Sequence, residues 1–342
     1  MYRPVRGCCA ALLATLGMAL PAMAHAATTL VVNAFLPPQH IFNVDVMKPW
    51  AEDVERVTQG RVKVVFPPTS IGSPQQQWDV VRKRIVDGAY IFNGLIQNKA
   101  SLVQLAHLPL GSSSAEGMSV ALWRTYEKYF AQADEYRDVH LLALVVFPAG
   151  EIYSLKQPVT SLAAIRGVKY WALPGVASAL MDRGGAGVVA TPAAKMSELV
   201  AGGTVDGFVG IPEMDAARFN VVRYARYETS VPGGITAPSF SLFVNRQVWA
   251  SIAPADRAAI TALSGEAFAH RMAVIDAANQ HAREEAVAKG LKVIAPTPAF
   301  VDALRALAQP MDARWIAHAD DLHVDGAAAL AYYRDEAKQE AR

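Results

Sequence analysis

Over the first half of the chain, short apolar runs alternate with segments in which apolar residues recur at helical spacing. Residues 30–35 and 139–147 are almost wholly apolar and predict buried strands, and 61–66 alternates as a half-buried strand does. Apolar residues recur every three or four positions over 43–58, which predicts a helix that Pro49 kinks or restarts. The order predicts a β-α-β-α-β lobe with a largely parallel sheet covered on both faces.

One pattern occurs twice, at 73–92 and at 191–209. Each copy has a Ser-Pro or Thr-Pro pair, a helical stretch, a Val-Asp-Gly turn and a short apolar run. Serine or threonine before proline is typical of a helix start. A third Val-Asp-Gly, at 324–326, precedes an alanine-rich helical stretch, so we interpret it as chance. The two true copies predict two lobes of similar α/β construction.

The second half predicts a second lobe and a return to the first. Residues 167–172 form a predicted strand that ends at a Pro-Gly turn, and 231–242 is rich in turn residues before it becomes apolar, as expected of a chain that crosses back. Pro254 opens a predicted helix that continues to about 289, and 292–294 is a further predicted strand. The expected divisions are a signal peptide at 1–26, lobe I at 27–148 with a return segment at 240–300, lobe II at 149–239, and a C-terminal helical segment at 301–342 that packs on the lobes.

The first residues have the pattern of a secretory signal peptide. Arg3 and Arg6 precede an uncharged apolar run at 8–20, and Ala-His-Ala follows at 24–26. The run is shorter than the roughly 20 residues that a bilayer span needs. The sequence therefore predicts export to the periplasm, with cleavage after residue 26.

The composition of the remaining chain excludes several classes of function. Both cysteines, Cys8 and Cys9, lie in the signal segment, so the mature chain has neither a disulfide framework nor a thiol nucleophile. Without Arg3 and Arg6 it has 30 basic and 31 acidic residues and no basic cluster that suits nucleic acid. Without a later run that could cross a bilayer, we expect a protein that is not embedded in a membrane.

No motif predicts an enzyme, a cofactor or a metal site. The serine-rich stretch 110–117 lacks the Gly-x-Ser-x-Gly turn, and 184–187 follows a helix, whereas a dinucleotide fingerprint follows a strand. His318 and His323 are five residues apart, which does not place them on one helical face.

The remaining candidate residues lie mostly near the predicted strand ends. Ligands of open parallel sheets bind outside the carboxyl ends of the strands, and aromatic walls with few polar groups suit a small organic ligand. The predicted ligand-binding residues are Phe35, His40, Asn43, Gln75, Phe92, Asn93, Trp171 and Glu213. For Trp171 and Phe92 a core position is the alternative, and His40 can instead hold its own loop.

Five stretches, in order, resemble one family. They are FLPPQHIFNVDVMKPWAEDVERVTQGRVKVVFPP, IGSPQQQWDVVRKRIVDGAYIF, LKQPVTSLAAIRGVKYWALPG, KMSELVAGGTVDGF and YETSVPGGITAPSFSLFVNRQVWASIAPADRAAI. Over nearly all of 29–300 the chain resembles the DctP-like solute-binding proteins of tripartite ATP-independent periplasmic (TRAP) transporters. The resemblance implies a type II-like periplasmic binding protein fold with two α/β lobes and a long helix that braces both. It also implies a monomer that captures a small organic solute, an organic acid above all, by lobe closure and delivers it to TRAP permease subunits.

The sequence departs from this family where a carboxylate is bound. Most members carry an arginine in the strand after Gly-x-Lys, where Trp171 stands; a second arginine and an asparagine of some members fall near Gly150 and Gly210. Arg183 or Arg218 can replace these arginines only from other positions in the chain. A neutral, aromatic or cationic ligand therefore stays open, with Glu213 as the partner of a cation. A ligand-presenting protein for a membrane sensor and an exported enzyme on the same scaffold are the alternative functions.

Overall fold

Two β-sheets organise the chain in the computed structural model, which describes residues 27–112 and 114–340. The predicted signal peptide, 1–26, lies outside the described residues. The strands are β1 (Thr28–Asn33), β2 (Val62–Val65), β3 (Gly88–Phe92), β4 (Val139–Val146), β5 (Ile152–Ser154), β6 (Lys169–Ala172), β7 (Gly187–Ala190), β8 (Gly207–Val209), β9 (Tyr227–Thr229), β10 (Ser239–Asn245) and β11 (Lys292–Ile294).

The α-helices cover these sheets and connect them. They are α1 (Lys48–Val57), α2 (Gln77–Arg82), α3 (Ala115–Thr125), α4 (Val176–Arg183), α5 (Met196–Ala201), α6 (Glu213–Arg218), α7 (Arg246–Ser251), α8 (Pro254–Thr261), α9 (Gly265–Ala269), α10 (Ala273–Ala288), α11 (Pro298–Asp321) and α12 (Gly326–Glu340). Within 27–112 and 114–340, no helix is both long and apolar enough to span a bilayer.

The first sheet has the order β2-β1-β3-β10-β4. Strands β1, β2 and β3 pair in parallel, and β10 runs antiparallel between β3 and β4. The predicted crossing back from lobe II is thus confirmed, because β10 completes the sheet of lobe I. The sheet is mixed, since a strand that returns directly from the other lobe enters in the opposite direction.

The second sheet has the order β11-β9-β5-β8-β6-β7. Its strands β6, β7 and β8 are parallel, and β5 is antiparallel to both β8 and β9. Strand β11 pairs with β9, so the last part of the expected return segment 240–300 joins the sheet of lobe II. The fold is the two-lobed α/β arrangement that the sequence predicts.

The repeated pattern forms one equivalent unit in each lobe. In the first copy a short 3₁₀ turn, Pro74–Gln76, leads into α2 and then β3; in the second, Ala193–Lys195 leads into α5 and then β8. The prediction of matching helix-turn-strand units is therefore confirmed. The third copy precedes α12 and no strand, as expected.

The predicted helix over 254–289 is wrong in its continuity. It is divided into α8, α9 and α10. Gly265 has φ +58°, and a Cβ there would come within 2.6 Å of the Trp123 ring, so the backbone leaves the helical path where only glycine fits. Pro49, by contrast, acts as predicted: a π-helical turn at Phe42–Met47 precedes α1, in which Pro49 lies in the first turn.

Two helices brace both lobes. The Asp276 carboxylate of α10 accepts hydrogen bonds from the backbone of Ala115 (2.6 Å) and Glu116 (2.9 Å) in lobe I, and Arg283 of the same helix pairs with Glu228 of β9 at 2.8 Å. The first half of α11 packs in the core of lobe II and its second half, around Trp315, in that of lobe I. The predicted bracing helix is confirmed as α10, although α10 begins later in the sequence than Pro254. Helix α11 is a second helix that contacts both lobes.

Candidate ligand-binding cleft

Aromatic rings gather at the carboxyl ends of the strands of lobe I. We call Phe35, Phe42, Tyr90, Phe92, Phe147 and Phe240 the aromatic cluster. The Phe147 and Phe240 ring centroids are 4.5 Å apart, and Phe92 lies 5.8 Å from Phe240. Only Phe35 and Phe92 are partly exposed, while the other four rings are buried. These two are therefore the rings on which a ligand in the cleft can stack.

Asn43 supports this cluster through buried hydrogen bonds. Its Nδ2 donates to the carbonyl oxygens of Leu36 (3.1 Å) and Pro37 (2.9 Å), and its Oδ1 accepts from the Tyr90 hydroxyl at 2.8 Å. These bonds engage both donor hydrogens of the amide and its oxygen. Asn43 therefore fixes the loop that carries Phe35.

Asn93 belongs to a buried polar network behind Phe92. Its Nδ2 donates to the Ser239 hydroxyl at 2.9 Å, and its Oδ1 accepts from Ser241 at 2.5 Å. The Ser239 hydroxyl also lies 2.9 Å from His107 Nε2, and the His107 ring stacks on Phe92. Burial lowers the pKa of His107 to about 4, so this ring is neutral at pH 7.

His40 joins the two lobes. Its Nε2 lies 3.0 Å from Asp215 Oδ1 on α6, while its Nδ1 accepts a hydrogen bond from the backbone N–H of Phe42 at 3.2 Å. The second bond makes Nδ1 an acceptor, so the hydrogen lies on Nε2 and is donated to Asp215. His40 thus holds its own loop and also contacts lobe II.

Gln75 lies on an exposed 3₁₀ turn outside these clusters. The buried amide of this segment is Gln77, whose Oε1 accepts from Asn33 Nδ2 at 2.6 Å. Gln77 lies on the helical face shared with Trp78 and Val81, and that spacing is a signal from which the sequence can predict its burial.

Trp171 is fully buried in lobe II. Its ring is 0% exposed and packs in an apolar cluster with Met196, Val200 and Phe208, and its Nε1 donates to the Thr191 hydroxyl at 2.9 Å. This environment favours the core position, one of the two alternatives for this residue. A ligand-contacting role for Trp171 stays a prediction.

Gly150, near which a second arginine of some family members falls, has no room for a side chain. A Cβ at Gly150 would lie 2.2 Å from the backbone nitrogen of Ile211, so no side chain fits there without a backbone shift. Arg183 is exposed and donates from Nε to the Leu307 carbonyl at 3.2 Å, and Arg218 donates to the Gln39 carbonyl across the lobes. Neither arginine lines the cavity described next.

An acidic cavity of about 360 Å³ lies between the lobes. Lobe II contributes one wall, α10 a second and the start of α3 a third. The lining residues are Ser114, Ala149, Glu151, Tyr153, Glu213, Glu228, Asp276, Asn279, Gln280 and Arg283. Glu213 is the only predicted site residue among them; the sequence patterns did not single out Glu151, Glu228 or Arg283.

The carboxyl groups of this cavity are strongly perturbed. The Glu213 carboxyl accepts from the Tyr153 hydroxyl, and its burial and the neighbouring Glu228 raise its pKa to about 8. Burial also raises the pKa of Glu151 to about 8, although the backbone N–H of Val231 donates to it at 2.8 Å. Both glutamates are therefore mainly protonated at pH 7.

Known proteins resemble the chain over most of its length. The model of the bacterial extracellular solute-binding protein family 7, DctP, matches residues 32–318. The outer membrane transporter protein TsaT of Comamonas testosteroni is 44% identical over 332 residues, which cover 97% of each chain.

Solved structures show the same fold. A TRAP periplasmic solute-binding protein of Bordetella bronchiseptica with bound (R)- and (S)-mandelate is 28% identical, with a TM-score of 0.85, over 91% of this chain and 99% of the other. A TRAP solute-binding protein of Rhodoferax ferrireducens with copurified benzoate has a TM-score of 0.81 at 21% identity, over 92% and 99%. The family's proteins are extracytoplasmic binders of small solutes. The chain belongs to family 7 of the bacterial extracellular solute-binding proteins, the TRAP solute-binding proteins.

Proposed function

We propose that the protein captures a small organic acid with an aromatic ring between its lobes in the periplasm and delivers it to a TRAP membrane permease. The observation that carries the proposal is the aromatic cluster, in which Phe35 and Phe92 alone are partly exposed. Bound mandelate in the Bordetella bronchiseptica relative supports a ligand with a ring and a carboxylate. The chain acts as a carrier and catalyses no reaction on its ligand.

The first experiment identifies the ligand. The mature protein is purified from the periplasm, denatured, and the released small molecules are analysed by mass spectrometry. Calorimetry with mandelate, benzoate and the released compound then gives affinities. Saturable binding of an aromatic acid at one site per chain is expected, and a released compound without an aromatic ring would contradict the proposal.

Variants test whether the exposed rings hold the ligand. Phe92→Ala removes a stacking partner worth about 0.5–1.5 kcal/mol beyond its buried area, so affinity should fall about tenfold. Tyr332→Ala is the control, because Tyr332 packs with Tyr129 in the middle of α12 and does not line the cavity between the lobes. Equal affinities for the two variants would refute the assignment of the rings.

Delivery needs a separate measurement. Uptake of the radiolabelled ligand into proteoliposomes that contain the TRAP permease subunits should require this protein. Uptake without the protein, or none with it, would favour the alternative of a ligand-presenting protein for a membrane sensor.

A further inference from the structure

The acidic cavity contains two carboxyl oxygens that lack a hydrogen-bond partner. Glu213 Oε1 and Glu228 Oε2 are buried, and among residues 27–112 and 114–340 no donor reaches either atom. Glu213 is 3% exposed and Glu228 1%. Both side chains line the cavity, so a ligand in the cavity can supply the missing donors.

The ionisable side chains that line the cavity favour a cation over an anion as its ligand. From the sheet of lobe II come Glu151, Tyr153 and Glu228, from α6 Glu213, and from α10 Asp276 and Arg283. Four carboxyl groups thus face one guanidinium, and Glu228 already binds that guanidinium at 2.8 Å. An ammonium group can displace the protons on Glu151 and Glu213 and bind their carboxylates, whereas an added carboxylate finds a cationic partner in Arg283 alone among the lining residues.

A proton on Glu213 occupies the place of a cation while no cation is bound. Glu213 and Glu228 line the same cavity, and after burial the neighbouring Glu228 is the next cause of the raised pKa of Glu213. An ammonium group has three N–H donors. It can replace the proton on Glu213 and bind both carboxylates at once.

Short chain segments connect the cavity with the aromatic cluster. Ala149, which lines the cavity, follows Phe147 of the cluster by two residues, and Met214, next to Glu213, packs in the same apolar core as the cluster. One small molecule can therefore place a ring against Phe35 or Phe92 and a polar group in the cavity. Asn279 presents a further donor there, because its Oδ1 already accepts from the Met214 backbone.

We propose that this cavity is an amine subsite, in which Glu213 and Glu228 bind the ammonium group of an aromatic acid that also carries a primary amine. The inference rests on the proposed function and narrows its ligand class. It assigns a specificity-determining role to Glu213 and Glu228, with Arg283 available to the ligand carboxylate beside them.

Three related compounds test the subsite by calorimetry. Phenylglycine, mandelate and phenylacetate share a ring and a carboxylate and carry an amine, a hydroxyl and a hydrogen, respectively, on the same carbon. Phenylglycine is expected to bind at least tenfold more tightly than phenylacetate. Glu213→Gln should remove most of this difference, and Glu198→Gln, which changes an exposed carboxylate on α5, should keep it.

The outcomes separate the two proposals. Phenylacetate or mandelate that binds as tightly as phenylglycine would overturn the amine subsite and leave the aromatic-acid function standing. Binding of none of the three compounds would count against both.

A second measurement needs only the native chain, so it remains decisive if Glu213→Gln does not fold. Because Glu213 is mainly protonated at pH 7, ammonium binding should release up to about one proton, and affinity should rise by up to about tenfold per unit between pH 6 and 7. The released protons are measured from the binding heat in buffers of different ionisation enthalpy. Proton uptake, or no proton exchange, would overturn the proposal.

Discussion

Replacing Trp171 by alanine distinguishes a core residue from a ligand-contacting one. Trp171 lies opposite Phe208 in β8 and Val189 in β7, and its indole covers the side chains of Met196 and Val200. Truncation to alanine leaves a cavity in this cluster. It also leaves the Thr191 hydroxyl without its indole donor.

The size of the effect follows from complete burial. A buried tryptophan replaced by alanine costs about 3–5 kcal/mol of folding free energy, and the lost hydrogen bond lies within that range. Ligand affinity, measured where the variant is fully folded, should change less than about threefold, because the ring is 0% exposed.

The assay combines urea unfolding with calorimetry on one preparation. The urea midpoint should fall strongly, whereas Trp171→Phe, which keeps a smaller aromatic ring but loses the indole N–H, should lose less stability. A tenfold loss of affinity with an unchanged urea midpoint would refute the packing argument. It would restore Trp171 as a wall of the cleft.

Three further predictions follow from contacts elsewhere. Asp215→Asn weakens the contact with His40 between the lobes, so X-ray scattering of the ligand-free protein should show a larger radius of gyration; an identical radius would show that other contacts hold the lobes. The pKa of Glu151 in the folded protein, about 8, exceeds its unfolded value, so its contribution to the free energy of unfolding is full below pH 4.5. This contribution is lost as the pH rises to 8, by up to about 5 kcal/mol. Glu151→Gln should flatten this part of the stability curve in urea unfolding, and an unchanged slope would refute the assignment. Arg124→Met removes the partner of Glu266 and of two glutamates on α12, so limited proteolysis should cleave α12 sooner than in the native chain; equal rates would show that apolar packing alone holds this helix.

Apolar patterning predicted the elements that are long or fully buried. Strands β1 to β4 and the return strand β10 were all evident, because each is an apolar run or, in β2, an apolar–polar alternation between turn signals. Strands β5, β7 and β9, of three or four residues each, were missed. The predicted helix over 254–289 is broken at Gly265, where φ is +58° and Trp123, distant in sequence, leaves no room for a Cβ.

The candidate site was predictable only in part, for a physical reason. Residues that follow strand ends, such as Phe35 and Phe92, are marked by their position. Both faces of β6 are covered, so its buried residues are apolar on either side. The sequence therefore does not show which of the two cores of lobe II takes Trp171 and which takes its neighbour Tyr170. Glu228 and Arg283 meet only because β9 and α10 pack together in space.

Three successive residues in the first turn of α6 connect the cavity with the contact between the lobes. Glu213 faces the acidic cavity, Met214 packs in the core of lobe I, and Asp215 binds His40. One rigid turn carries all three side chains. A ligand that binds Glu213 therefore also affects the packing of Met214 and the Asp215–His40 pair, which hold the lobes together. Ligand binding and lobe closure are then linked by a single free energy of coupling, so the factor by which one changes the other is the same in both directions.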